Sequence, residues 1–243
     1  SLISLHRIPQ LKGIGSSPEG ASIGAMATYR AVRASPLVRE KYGILAQASG
    51  LVGPIPVQNE GTVVGSTCHN APGADVPPAL LALDATAKAV GPRGERSIPL
   101  ASYFTGFIET ALAPDELLVA ITLPPPPRHV RGAYVKFNYR LIDLALVGAA
   151  VVLALDKEKK CHLVRVALGG VSNTPVRAYA AERILEGQPL TQEAIAEAAR
   201  VAAEGHELLS DVHCSAAYRR KVIPPVVRRA FQQALSSGNG LAA

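Results

Sequence analysis

"LPPPPRHVRG", Leu123 to Gly132, divides the chain. Its consecutive prolines, Pro124 to Pro127, can neither continue a helix nor donate to the ladder of a central strand, so they read as a stiff, extended connection. Upstream, short strands are mixed with helices. "ASIG", Ala21 to Gly24, reads as a strand feeding a short helix, and "REKYGILAQASGLV" as an Ala-rich helix closed by glycines. "ATAKAV" and "SIPLASYF" read as strands turned at "GPRGER", and "DELLVAITLP" as a strand that the proline run stops. Downstream, "AYVKFNYR", "LVGAAVVLALD" and "HLVRVALGGV" read as three strands, with "DKEKK" as the hairpin turn between the last two. Three helices follow. "TPVRAYAAERILEG" has a Thr cap, a Pro at its first position and a stop at Gly187; "TQEAIAEAARVAAEG" runs from a Thr191 cap to Gly205. "SAAYRRKVIPPVVRRAFQQAL" is bent or interrupted at Pro224 and Pro225. The expected class is α+β, with one unit over 1–123, a linker at 124–132, a second unit over 133–235 and a loose tail at 236–243. The second unit is a three-stranded antiparallel sheet with three helices.

At 243 residues, 48% hydrophobic and with a mean hydropathy of +0.19, the chain has enough apolar surface for one or two cores. No apolar run reaches the roughly 18–20 residues that span a bilayer. The longest, Leu144 to Leu155, is Ala- and Val-rich and ends in charge, as suits a buried element. The N-terminus lacks a basic segment followed by an apolar one, so no signal peptide is read. The first residue is Ser, which suggests a fragment or a processed piece. Cys68, Cys161 and Cys214 are odd in number and far apart, which argues against a disulfide framework or a metal site and for a reducing cytoplasm. The net charge of +6 is spread along the chain and there is no Trp, so single-strand stacking platforms are scarce and nucleic-acid binding is not expected. A basic face that docks an acidic protein fits better.

Chemistry concentrates in "VQNEGTVVGSTCHNAPGADVPPALLALDA", Val57 to Ala85. Gly61 and Gly65 could let the backbone approach a phosphate or flavin, with Thr62 and Ser66 adding hydroxyls. The same G-x-x-x-G spacing also fits a plain structural turn. Asp75 stands where a helix N-cap is expected. On its own, Leu118 reads as a core strand residue and Lys136 as a solvated lysine. Cys68 and His69 have no third ligand nearby, so a structural role is read. "SDVHCSAAYRR" is read as a helix cap, Ser210 or Asp211, followed by packing residues Tyr218 and Arg219.

The order of these pieces resembles the FAD-binding medium subunit of the molybdenum hydroxylases, the carbon monoxide dehydrogenase and xanthine dehydrogenase group. "RIPQLKGI", "SIGAMATYRAV", "VQNEGTVVGS", "IPLASYFTGFIETALAPDELL", "YVKF", "RVALGGVSNTPVRA" and "SDVHCSAAYRR" carry the resemblance, from about Leu2 to Leu235. It implies a PCMH-type FAD-binding domain lacking its N-terminal part, with that part's glycine-rich loop, followed by the smaller α+β domain. It also implies FAD contacts at Gly61, Thr62, Val63, Val64, Gly65, Ser66, Asp75, Leu118 and Lys136, with Leu51 nearby. A lysine near the flavin N1–C2=O edge would stabilise the anion formed on reduction. The implied partners are a large molybdopterin subunit and a small [2Fe–2S] subunit, in a dimer of heterotrimers. The implied function is electron transfer from the clusters through FAD to NAD⁺, a quinone or another acceptor. The chain departs from the family pattern at Gln58 (an Arg there), Val64 (a Gly) and Ser66 (an Asn). Those departures leave open a subunit that serves assembly alone and binds no FAD.

Overall fold

The computed structural model describes residues 3–236; the rest of the expected tail, from residue 237, lies outside the described residues. The chain opens with the hairpin β1 (Ile14–Ser17) and β2 (Gly20–Gly24). Gly20 sits at φ +123, and a Cβ there would come within 1.9 Å of the Leu123 carbonyl oxygen, so only glycine lets the hairpin lie against the neighbouring strand. Thr28 caps α1 (Tyr29–Ala34) by accepting from the Ala31 amide, and Ser35 caps α2 (Pro36–Lys41), with Pro36 in its first turn. The single Ala-rich helix expected over 39–52 is therefore two, α2 and α3 (Gly43–Gly50). The break falls at Tyr42, at φ −136 and ψ 43, whose ring is buried and whose hydroxyl donates to Pro124 O at 3.0 Å. A tertiary anchor overrides local helix propensity there.

Three short helices follow, α4 (Ile55–Glu60), α5 (Val63–His69) and α6 (Val76–Ala82), then the strands β3 (Thr86–Gly91), β4 (Gly94–Pro99), β5 (Phe104–Gly106), β6 (Glu109–Thr110) and β7 (Leu117–Leu123). The expected hairpin of β3 and β4 is present, although β4 stops at Pro99 and Leu100–Ser102 form a 3-10 turn. Five strands make an antiparallel sheet in the order β1-β2-β7-β3-β4, which puts "LLVAITL" at its centre.

After the prolines, β8 (Arg131–Phe137), β9 (Val147–Leu155), β10 (Cys161–Gly169) and β11 (Val176–Arg177) form a second antiparallel sheet, in the order β11-β10-β9-β8. Four strands replace the three expected. The Thr-Pro signal at Thr174 and Pro175 does not start a helix, because Val176 and Arg177 pair with Leu168 and Ala167. The helix α7 (Tyr179–Leu185) begins only after them, followed by α8 (Gln192–Val201), capped by Thr191 as expected, and α9 (Ala216–Ser236). α9 runs through Pro224 and Pro225 without a stop. The prolines deprive the carbonyls of Arg220 and Lys221 of their donors, but both residues lie on the solvent face, where water can serve. On the other face Val227, Ala230 and Phe231 are fully buried and hold the helix to the sheet.

The second sheet is covered on both faces. Val147, Ala149, Val151 and Leu153 of β9 join the core beneath α7, α8 and α9, while Ala150 and Val152 join the core of the first sheet and its helices. This two-sided burial is why "VGAAVVLA" is a continuous apolar run rather than an alternating one. Ion pairs cross the same junction. Arg177 reaches Glu182 on its own side (2.8 Å), and Asp84 (2.6 Å) and Leu81 O (3.2 Å) on the other. Arg165 joins it on Asp84 at 3.0 Å.

Arg177→Met should cost about 3–5 kcal/mol, because the buried Glu182 carboxylate would lose its bidentate partner. Urea unfolding measures this as a fall in midpoint; an unchanged midpoint would show that the junction does not rely on the clamp.

Candidate functional site

A cavity of about 490 Å³ opens where the two sheets meet, and most of the family-implied positions converge on it. Gly61, Thr62, Gly65, Ser66, Asp75 and Lys136 line it; Val63, Val64 and Leu118 do not. Val63 and Val64 point into the first core, and Leu118 lies in β7, buried in that same core. Sequence reasoning missed Tyr29, His69 and Asp143, which also line the cavity.

The segment around Gly61 is not the glycine loop that its sequence suggests. Gly61 and Thr62 are extended, Thr62 bridges Thr28, and α5 starts at Val63. The amides there are largely used within the chain: Val63 N donates to Ala27 O, Gly65 N to Thr62 Oγ1 (2.9 Å) and Ser66 N to Thr62 O (3.0 Å). The glycines are required by packing. A Cβ on Gly61 would stand 2.6 Å from the Tyr29 ring, and one on Gly65 would stand 2.8 Å from the capping Thr62 hydroxyl. Burial raises the Tyr29 phenol above its ordinary pKa, and a hydrogen bond with Ser66 opposes the shift. The altered position Gln58 is buried and works on the opposite wall. Its amide donates to Gly50 O (3.2 Å) and Gly53 O (3.4 Å), fixing the turn that carries Val52, Gly53 and Pro54 to the cavity.

Asp75 is the pivot. It precedes α6, but its side chain makes no cap bond. One carboxylate oxygen accepts from Tyr134 Oη (2.8 Å), and the other from Lys136 Nζ (2.8 Å), which also donates to Leu51 O (3.0 Å). The Lys136 and Asp75 side chains are 4% and 2% exposed, so neither the solvated lysine nor the N-cap read from sequence exists. Tyr134 was also missed; as the alternate partner on β8 it faces the same side as Lys136. Burial is the largest influence on the Asp75 carboxyl and pushes it up to about 6, while Lys136 and Tyr134 oppose that shift. Since the folded value lies above the ordinary 3.8, this group favours the fold fully below 3.8 and loses that contribution as pH rises through about 6. The Tyr134 phenol is raised well above its usual range, first by burial and then by the Asp75 charge, and stays protonated as a donor.

The remaining sequence candidates have structural roles. Burial raises the Cys68 thiol, and its sulfur lies 3.8 Å from the Tyr103 hydroxyl. Among the described residues, no group of three or more His, Cys, Asp and Glu side chains could hold a metal ion. In "SDVHCSAAYRR", Ser210 accepts from the Ala216 amide, Asp211 accepts from the His213 and Cys214 amides, and buried Arg219 binds Asp211 at 2.7 Å.

Comparison with known proteins agrees with this arrangement. Residues 1–126 match the FAD binding domain in molybdopterin dehydrogenase, and residues 132–234 match the CO dehydrogenase flavoprotein C-terminal domain. The chain is 34% identical to the 6-hydroxypseudooxynicotine dehydrogenase complex subunit alpha of Paenarthrobacter nicotinovorans, over 96% of this chain and 79% of that one. It is 33% identical to the carbon monoxide dehydrogenase medium chain of Hydrogenophaga pseudoflava, over 96% and 81%. A solved carbon monoxide dehydrogenase from Hydrogenophaga pseudoflava, lacking the Mo-pyranopterin moiety of its cofactor, superposes with a TM-score of 0.92 at 33% identity, covering 96% of this chain and 80% of that one. Quinoline 2-oxidoreductase from Pseudomonas putida 86 gives 0.89 at 30%, covering 97% and 81%.

Two outcomes follow from the geometry. Carboxyl ¹³C NMR should find Asp75 titrating near 6 and, in Lys136→Met, higher still, because the cation that lowers it is gone; a fall would contradict the pairing. Val64→Gly should destabilise the fold by about 2–4 kcal/mol in urea, through the core void and the helical glycine. A neutral result would mean that Val64 faces the cavity.

Proposed function

The chain belongs to the FAD-binding medium subunits of the molybdenum-containing dehydrogenases, and on that premise we propose that the cavity walled by Gly61, Ser66, Asp75 and Lys136 is where its flavin sits. The observation that carries the reading is the Lys136–Asp75 pair, two charges taken out of water at the wall of a ligand-sized cavity. Burying an ion pair is weak evidence of stability, so its position beside a cavity calls for a ligand. The volume is in the range of small-molecule sites, and the walls are mainly apolar with a few placed polar groups, as a ring system requires.

When bound, FAD supplies a centre that takes up and passes on electrons. The chain's own residues set its surroundings. Lys136 brings one positive charge, held in place by Asp75 and Leu51 O, to where a reduced ring would carry negative charge. Tyr134 keeps Asp75 oriented from below. Thr62 and Ser66 offer hydroxyls, Gln58 braces the facing turn, and Val63, Val64 and Leu118 back the site from the core without touching it. We place this chain between a small [2Fe–2S] subunit, from which electrons arrive, and an external acceptor. A large molybdopterin subunit would carry out the oxidation, in a cytoplasmic dimer of heterotrimers. The free cysteines Cys68, Cys161 and Cys214 accord with a reducing compartment. A division at 124–132 fits this role, with the flavin cavity shared between the two units.

Titrating FAD with the purified chain should quench flavin fluorescence saturably, and Lys136→Met should weaken binding roughly 10- to 100-fold, as loss of a charged hydrogen bond of about 1.5–3 kcal/mol implies. Quenching that is absent, or untouched by the substitution, would remove the flavin from this cavity.

A further inference from the structure

A second cavity, of about 420 Å³, adjoins the first and shares His69, Ala71, Asp143 and Leu144 with it. Three segments build it: the tip joining β5 to β6, the stretch between β8 and β9, and the stretch before α9. Its mouth is apolar and open to solvent. Phe107, Ile108, Tyr139, Leu144 and Val212 are all large hydrophobic residues with exposures from 49% (Ile108) to 96% (Val212). So many exposed apolar side chains at one opening mark a binding site rather than ordinary surface.

The opening is built, not loose. The buried Asn70 side chain donates to Gly106 O and Glu109 O, both at 2.8 Å, and so clamps the base of the β5–β6 tip. At that tip Ile108 stands at φ +55, a conformation that a β-branched residue rarely adopts. The Tyr139 hydroxyl donates to His213 O at 2.9 Å and ties the second segment to the third. Arg219 fixes both from beneath, donating to Leu146 O, Gly170 O, Leu209 O and Asp211 Oδ2.

The charges decide what class of molecule fits. Arg219 is the one Arg or Lys in the lining, and its guanidinium is already committed to those four acceptors. Asp143 and Asp211 would repel a phosphate. A dinucleotide would therefore find no partner for its pyrophosphate, whereas an uncharged ring would find apolar walls and two imidazoles, His69 and His213, able to bond its oxygens. Resting on the reading of the first cavity as the flavin site, we propose that the second cavity takes an uncharged quinone ring as the external electron acceptor. Two electrons and two protons pass from the reduced flavin to the quinone. Two N–H bonds are lost on the donor, two O–H bonds form on the ring oxygens, and the product leaves as the hydroquinone.

Equilibrium dialysis of 2-methyl-1,4-naphthoquinone against the full chain tests the site without relying on turnover. Phe107→Asp and Val212→Asp change exposed lip residues outside the flavin cavity. Each should raise the quinone Kd at least tenfold while leaving FAD retention and the urea midpoint unchanged. Absent quinone binding, equal binding by the variants, or NAD⁺ binding that the two aspartates block would each overturn the proposal. FAD uptake without quinone binding overturns the acceptor class alone. Quinone binding that responds to the variants in a chain that takes up no FAD removes the acceptor role and the flavin reading together.

Discussion

The contact among Asp75, Tyr134 and Lys136 joins the two halves of this molecule and shapes its cavity. Asp75 comes from the helical segment of the first unit, and the other two from β8 of the second. Taking the carboxylate and ammonium out of water costs several kcal/mol per ion, and their attraction returns that only with good geometry and full hydrogen bonding. Each carboxylate oxygen has a donor at 2.8 Å, and the ammonium has a second acceptor in Leu51 O. Even so, burial outweighs the partners in setting the Asp75 carboxyl. A fold selected for stability alone would replace such a pair with apolar packing. Its retention at a cavity wall is the mark of a site.

That contact depends on the second sheet being covered on both sides. If β8 faced solvent on the side of Tyr134 and Lys136, their bonds to Asp75 would be screened and loose. α3 and α6 cover this face, while α9 covers the other, so the strand holds its polar side chains in fixed positions. Arg177, braced on Glu182 and Asp84, and Gln47, accepting from Tyr134 N, keep the two units in one register. The apolar cavity beside the first one relies on the same framework, with Asn70 and Arg219 clamping its segments.

Local signals in the sequence revealed much of the fold. The proline run, the β3–β4 hairpin, the central strand over Leu117–Leu123 and the Thr191 cap each follow from a few neighbouring residues. The failures share one cause, a distant partner that overrides local preference. Tyr42 breaks a helix because Pro124 binds its hydroxyl, and Arg177 holds Val176 in a strand because Asp84 and Glu182 bind its side chain. The site was legible in its positions and misleading in its reasons. Gly61 and Gly65 make room for Tyr29 and for the Thr62 cap rather than offering a bare backbone, and Asp75 caps nothing. Tyr134 and Gln58 could not be found from local pattern, since their partners lie 59 residues away and in carbonyls of a neighbouring turn.

The most direct measurement is a crystal structure of the chain with FAD. Ring density against Ser66 and Gly61, with Lys136 Nζ within hydrogen-bond distance of the ring's N1–C2=O edge and still paired with Asp75, is the expected result. Flavin density anywhere else on the chain, or in this cavity with Lys136 turned away, would contradict the central role given to the buried pair.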